Sequence, residues 1–174
     1  MFGDLHIHMI LDGVYYRAAI DAQKEHPLDG LVRARLSDYQ ARGVCLLRDG
    51  GDAWGVSLRA RELAGEYGID YRSPAFPIYR RGHYGAFIGR GFDTEDEYRA
   101  LLDEAGEKRA DFIKLMISGL IDFDHFGVLT EPGPEPQDIR RMIELAHAAG
   151  FAVMAHANGD RAVTAALQAG VDSI

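Results

Sequence analysis

Two short runs constrain this chain more than anything else in it: DFIKLMISG (111–119) and FAVMAHANG (151–159). Each is apolar at nearly every position rather than at alternate ones, the pattern of a strand covered on both faces of a sheet. Helical segments accompany them. EPQDIRRMIELAHAAG (135–150) has Pro136 early and Gly150 as its stop, and DRAVTAALQAG (160–170) follows the second run. The same alternation holds upstream. GVCLLRD (43–49) reads as a strand before the helical WGVSLRARELAGEYG (54–68), and TEDEYRALLDEAGEKRA (94–110) opens on a Thr N-cap with acids in its first turn. IDYRSPAFPIY (69–79) reads as extended chain broken by Pro74 and Pro77.

Strands alternating with helices imply right-handed βαβ units and a parallel sheet. With FGDLHIH as the first strand and VDSI (171–174) opening a further one, the chain holds about five to five and a half units. The expected fold class is therefore α/β, a partial (β/α)8 TIM barrel lacking its later strands. Residues 9–29 and 73–92 read as excursions after strand C-termini, the side on which such barrels build active sites.

The 174 residues suit one domain, 1–174, with no linker, low-complexity stretch or internal repeat. Acids and bases are interspersed around a net charge of −8, which speaks against nucleic acid or an anionic membrane as partner. A single cysteine, Cys45, excludes an intrachain disulfide and points to a reducing compartment; in its apolar strand it reads as a small buried hydrophobe. Met1 runs straight into the first strand, leaving no room for a signal peptide, and no apolar stretch approaches the ~18 residues of a membrane span. The expected location is the cytoplasm.

The chemistry-bearing residues sit at strand ends. Side chains alternate along a strand, so Asp4, His6 and His8 share a face, and two imidazoles so placed can reach one metal ion. Two separately hydrogen-bonded core histidines would give the same short pattern. Lys114 shares a face with Phe112, Met116 and Ser118 in the middle of a buried strand. A desolvated ammonium must find a partner, shift its pKa or change chemically. It is an edge-strand lysine, a Schiff-base lysine, or a metal ligand made anionic by reaction with carbon dioxide. His156 ends its strand on the face of Ala152 and Met154, where a lone histidine would read as core. Taken with His6, His8 and Lys114, it reads instead as part of one site at converging strand ends.

Five stretches in order then resemble the metal-dependent amidohydrolase superfamily, and the match spans the chain: GDLHIHMILDG, GVCLLRDGG, RGHYGAFIG, FIKLMISG and VMAHANG. The third is similar to a Gly-His-Gly loop of the branch with imidazolonepropionase-like and dipeptidase-like members. The resemblance implies a hydrolase that cleaves a carbon–nitrogen bond of a small amide or cyclic amide through a metal-bound hydroxide. His6 and His8 would bind the more buried ion, and carboxylated Lys114 would bridge to a second ion held by His156. The cofactor would be one or two divalent ions, zinc first among them, with nickel, manganese and iron also tolerated. His83 is a candidate substrate contact, or an ordinary loop histidine. Asp4 is a partner to a ligating histidine or a polar residue deeper in the barrel, and Asp49 has no assigned role. His26, His125 and His147 read as loop and helix-end residues. Arg80, Arg81 and Arg90 would favour an acidic substrate group, or are simply exposed.

The family pattern continues a strand like VDSI with Glu-His-Gly and adds an aspartate on its eighth strand as proton shuttle; neither lies in this chain. A whole barrel takes about 250 residues, and the family's β-sandwich is absent. The expectation is thus the N-terminal part of a longer enzyme, truncated and with little or no activity alone. Its open edges would be covered by homo-oligomerisation. Two other readings stand: a non-catalytic half-barrel that binds a partner, and a metallophosphoesterase of the polymerase-and-histidinol-phosphatase type. The latter also opens on Asp-x-His-x-His but gives no reason for a buried Lys114.

Overall fold

The computed structural model describes residues 2–174 and divides into two compact units, Met1–Phe76 and Pro77–Ile174.

The first unit is built as β1 (Phe2–Ile7), α1 (Tyr16–Asp21), α2 (Asp29–Ala41), β2 (Val44–Asp49), α3 (Val56–Ala64) and β3 (Asp70–Arg72). The three strands form a parallel sheet in the order β1-β2-β3. Helix α2 buries Val32 and Leu36, one turn apart on one face, and α3 buries Val56, Ala60, Leu63 and Ala64. With Ile7, Leu47 and Tyr71 they make the core; full burial of each aliphatic side chain contributes ~1.5–3 kcal/mol. Arg59 clamps the two helices by a forked pair with Asp29, at 2.8 and 2.6 Å. Cys45 is half-buried rather than buried, its thiol 3.5 Å from the Phe2 carbonyl oxygen, because its strand neighbour β1 lies at the sheet edge.

The second unit runs β4 (Pro77–Arg80), β5 (Arg90–Phe92), α4 (Glu95–Glu107), β6 (Ile113–Met116), α5 (Pro136–Ala148), β7 (Val153–His156) and α6 (Gly159–Gln168). Its sheet is parallel throughout, in the order β5-β4-β6-β7. All four residues of β6 are buried, as the unbroken apolar run requires. Thr94 caps α4 by accepting from the Glu97 N–H at 3.2 Å. Helix α5 buries Ile139, Met142, Ile143 and Ala146, the i, i+3, i+4, i+7 stripe. The VDSI segment begins to pair in parallel beside β7, where Ala155 N–H donates to the Ser173 carbonyl at 2.8 Å.

Residues 73–92 differ from expectation, for they contain β4 and β5 rather than a plain excursion. Pro77 is tolerated because it is the first residue of β4. Close approach needs small residues on β5's side: a Cβ on Gly89 would lie 2.7 Å from the Pro77 carbonyl oxygen, and one on Gly91 2.8 Å from the Tyr79 ring.

Candidate functional site

In the first unit the strand ends carry a histidine pair beside a buried acidic cluster. The β1–β2 ladder breaks register between Asp4 and Ile7, and β1 ends at Ile7, so His8 is the first residue beyond it. The rings of His6 and His8 are still neighbours, with centroids 5.6 Å apart and planes tilted by 53°. Two imidazoles sharing one tetrahedral ion at ~2.0–2.1 Å place their centres ~5 Å apart, so this spacing fits a common ion. His8 Nδ1 lies 3.1 Å from the Gly51 carbonyl oxygen. That oxygen only accepts, so Nδ1 carries the proton and Nε2 keeps its lone pair. Asp4 is half-buried and accepts from the His6 N–H at 3.3 Å.

The loop that holds His8 is fixed by Asp49. This carboxylate is wholly buried and accepts from the Met9 N–H at 3.1 Å, the Gly51 N–H at 2.7 Å and the Tyr71 hydroxyl. Burial pushes its pKa up against those hydrogen bonds, and burial followed by the charge of Asp49 pushes Tyr71 far up. Asp52 is also buried. It accepts from Trp54, Val56 and Ser57 N–H groups at 2.9, 3.1 and 2.7 Å, tying the start of α3. Burial, then the charge of Asp49, raises Asp52 to about 6. The two glycines between these acids have separate reasons. A Cβ on Gly50 would meet the His8 ring, 2.7 Å from Nε2. Gly51 has φ +81° and would meet the Phe76 Cα at 2.9 Å.

In the second unit Lys114 is fully buried, flanked in register by Pro77 on β4 and Met154 on β7. His156 pairs with Met116 and so lies on the same face as Lys114, one pleat further along. His156 Nε2 sits 3.3 Å from the Gly119 carbonyl oxygen and 3.2 Å from the Asn158 side-chain amide, and its ring packs against Tyr84 with centroids 5.1 Å apart. His83 Nδ1 donates to Glu131 at 3.0 Å, and the same carboxylate accepts from the N–H groups of Tyr84 at 3.0 Å and Gly133 at 2.8 Å. Burial opposes the charged form of Glu131, but these donors outweigh it and hold its pKa below the usual value. Glu131 therefore fixes the glycine-rich loop that lays Tyr84 on His156.

Sequence reasoning missed Asp49's role, Glu131, Asn158 and Tyr84. Asn158, two residues after His156, carried a local signal; Glu131 carried none. The three arginines read as candidates for an acidic substrate are occupied: Arg80 pairs with Asp138, Arg81 with Asp93 and Glu97, and Arg90 with Glu104. His147 Nε2 lies 2.9 Å from Asp172, which ties the end of α5 to the VDSI segment. His125 lies in an exposed turn 3.2 Å from Asp122. Among the described residues, no three His, Cys, Asp or Glu side chains gather in a group that could hold a metal ion.

No protein-family model matches the chain, and no curated protein does. Solved structures do. An uncharacterized protein superposes with TM-score 0.72 at 24% identity, covering 98% of this chain and 45% of its own. A Xaa-Pro dipeptidase with methionine bound in its active site gives 0.68 at 19%, over 99% of this chain and 46% of that one. Ochratoxinase of A. niger gives 0.70 at 18%, over 97% and 45%. These neighbours belong to the amidohydrolase superfamily, and at such identities the likeness establishes the fold. The resemblance carried by the five sequence stretches thus holds for the fold, an α/β chain with parallel sheets that matches about half of each of those structures. The chain spans about half the length of the structures it matches. Among the described residues, no helix is long and apolar enough to cross a membrane.

Proposed function

We propose that this chain is part of a metal-dependent hydrolase that cleaves a carbon–nitrogen bond in a small amide or cyclic amide. The observation that carries the reading is Lys114, fully buried on β6 and sharing a face with His156. A carbamate formed on its amine by carbon dioxide would be an anion of the kind that binds divalent cations. His6 and His8 would hold one divalent ion, zinc first, and His156 a second. Such an ion would polarise the scissile carbonyl and make water nucleophilic near neutral pH. The chain's own residues do the rest. Gly51 fixes the His8 proton on Nδ1, Glu131 orients His83 toward its role as a substrate contact, and Asn158 steadies His156. The dipeptidase among the structural neighbours supports an amide substrate.

Because the chain covers under half of those neighbours, hydrolysis by these 174 residues alone would be slow or nil. The edge strand β1, with Phe2 68% and Leu5 51% exposed, supports self-association in a cytoplasmic setting. The test is metal binding in bicarbonate. With 13C-bicarbonate and zinc, a carbamate resonance should appear in 13C NMR and vanish in Lys114→Ala, while zinc uptake falls in His6→Ala and His8→Ala. Zinc uptake unchanged in all three variants would leave the non-catalytic half-barrel as the better reading.

A further inference from the structure

Arg35, in the middle of α2, is half-buried, yet among the described residues its only hydrogen bond goes to the Met9 carbonyl oxygen. A guanidinium carries five N–H donors in a planar fork, so most of this one's are unused. Neighbouring arginines are served differently: Arg33 pairs with Glu66, and Arg59 with Asp29. Among the described residues, no carboxylate lies within ion-pair distance of Arg35. One turn along the helix, the half-buried Tyr39 hydroxyl also has no partner among the described residues. Burial pulls the Arg35 pKa down, with the charge of Asp12 opposing it only in part, and burial pushes that of Tyr39 up.

Both side chains line a cleft of about 400 Å3, with His8, Asp12 and Arg42 on its walls. That volume lies within the usual range for small-ligand sites, ~300–1,000 Å3. The acids nearby do not close on Arg35. Asp12 already accepts from the Val14 and Tyr15 N–H groups at 2.9 and 2.8 Å, and exposed Asp38 stands 4.0 Å from Arg42. The planar fork of Arg35 matches the two oxygens of one carboxylate, and a phosphate dianion would meet twice the repulsion from Asp12 and Asp38.

We propose that this cleft binds a carboxylate, clamped by the free fork of Arg35 and accepting a hydrogen bond from the Tyr39 hydroxyl. The carboxylate is either a free small molecule or an Asp or Glu side chain of a polypeptide segment docking beside β1. The proposal does not depend on the hydrolase reading, since no metal ligand's chemistry enters it.

The test titrates the full chain, in chloride-free buffer, with acetate and separately with N-acetyl-aspartate N-methylamide, following the Arg35 Nε–Hε resonance. A saturating shift is expected with at least one probe. Acetate saturation assigns the free-molecule source, and saturation by the blocked aspartate alone assigns the polypeptide source. Arg35→Gln should abolish binding and Arg42→Gln should leave it. Arg35→Lys, which keeps charge and packing but loses the fork, should weaken it about tenfold. Tyr39→Phe, a fold-neutral check, should weaken it by about threefold to tenfold. No saturation with either probe, or saturation that survives Arg35→Gln in a protein with wild-type circular dichroism, overturns the proposal.

Discussion

The sharpest consequence of the structure concerns Gly50. Its φ lies outside the left-handed region, so alanine is permitted there by the backbone. What forbids it is one side chain. A Cβ on this buried glycine would press into the half-buried His8 imidazole, 2.7 Å from Nε2 and 3.0 Å from Nδ1. To escape, the ring must swing and give up its hydrogen bond to the Gly51 carbonyl. Overpacking costs ~1–3 kcal/mol and a lost hydrogen bond ~0.5–1.5 kcal/mol, so Gly50→Ala should destabilise by about 2–3 kcal/mol. The assay is a double-mutant cycle in urea with His8→Ala. Once the imidazole is gone the new methyl has room, and Gly50→Ala should then fall within about 0.5 kcal/mol of neutral, or stabilise slightly through the unfolded chain. A coupling of about 2 kcal/mol would tie the glycine to the histidine. Equal costs in both backgrounds would refute the reasoning and place the constraint in the backbone. The neighbouring Gly51→Ala is the internal contrast, because its positive φ and backbone clash with Phe76 should make it costly whether His8 is present or not.

Asp52, raised to about 6, holds its proton in the folded chain to higher pH than in the unfolded one. Its burial therefore costs nothing below pH ~4 and a growing amount up to pH ~6, about 3 kcal/mol by the shift; Asp52→Asn should flatten the wild-type loss of stability over that window in pH-resolved urea melts. Tyr71→Phe removes one donor from the buried Asp49 carboxylate and should cost about 1–3 kcal/mol in the same assay, and a neutral result would count against that hydrogen bond. Glu131→Gln replaces an acceptor of three N–H groups by an amide with one oxygen; amide exchange should quicken at Tyr84 and Gly133 while α4 stays protected.

The parts of the fold that sequence made legible are those whose cause is local. The strands at 113–116 and 153–156 announce themselves by being apolar on both faces, and Thr94 by standing before an acidic first turn. Strand β4 falls largely in the stretch 69–79 that reads as extended, though Pro77 obscured it as a strand, whereas β5 was hidden by Gly82, Gly85, Gly89 and Gly91, which read as loop. Strand β4 is held by pairing with β6, more than thirty residues away, and β5 by pairing with β4, not by any preference of their own. The candidate site divides the same way. Histidines at strand ends can be seen, but Asp49 becomes a buried anchor only because Tyr71 from β3 and the Met9 N–H converge on it.

That convergence also explains why the DGGD stretch reads as it does. A chain that must present a histidine in one tautomer at a strand end needs a carbonyl aimed at the ring. A carbonyl in a turn holds its direction only if the turn's N–H groups are tied. Asp49 ties the Gly51 N–H, while Asp52 ties the N–H groups that open α3. The cost is two buried carboxylates whose charged forms oppose each other, which folding alone would not select. Replacing both by apolar residues would release His8 but leave five N–H groups and the Tyr71 hydroxyl without their acceptors. Asp49, by tying the Gly51 N–H, steadies the carbonyl that meets His8, and the rise of Asp52 to about 6 follows from its burial and from the charge of Asp49 beside it.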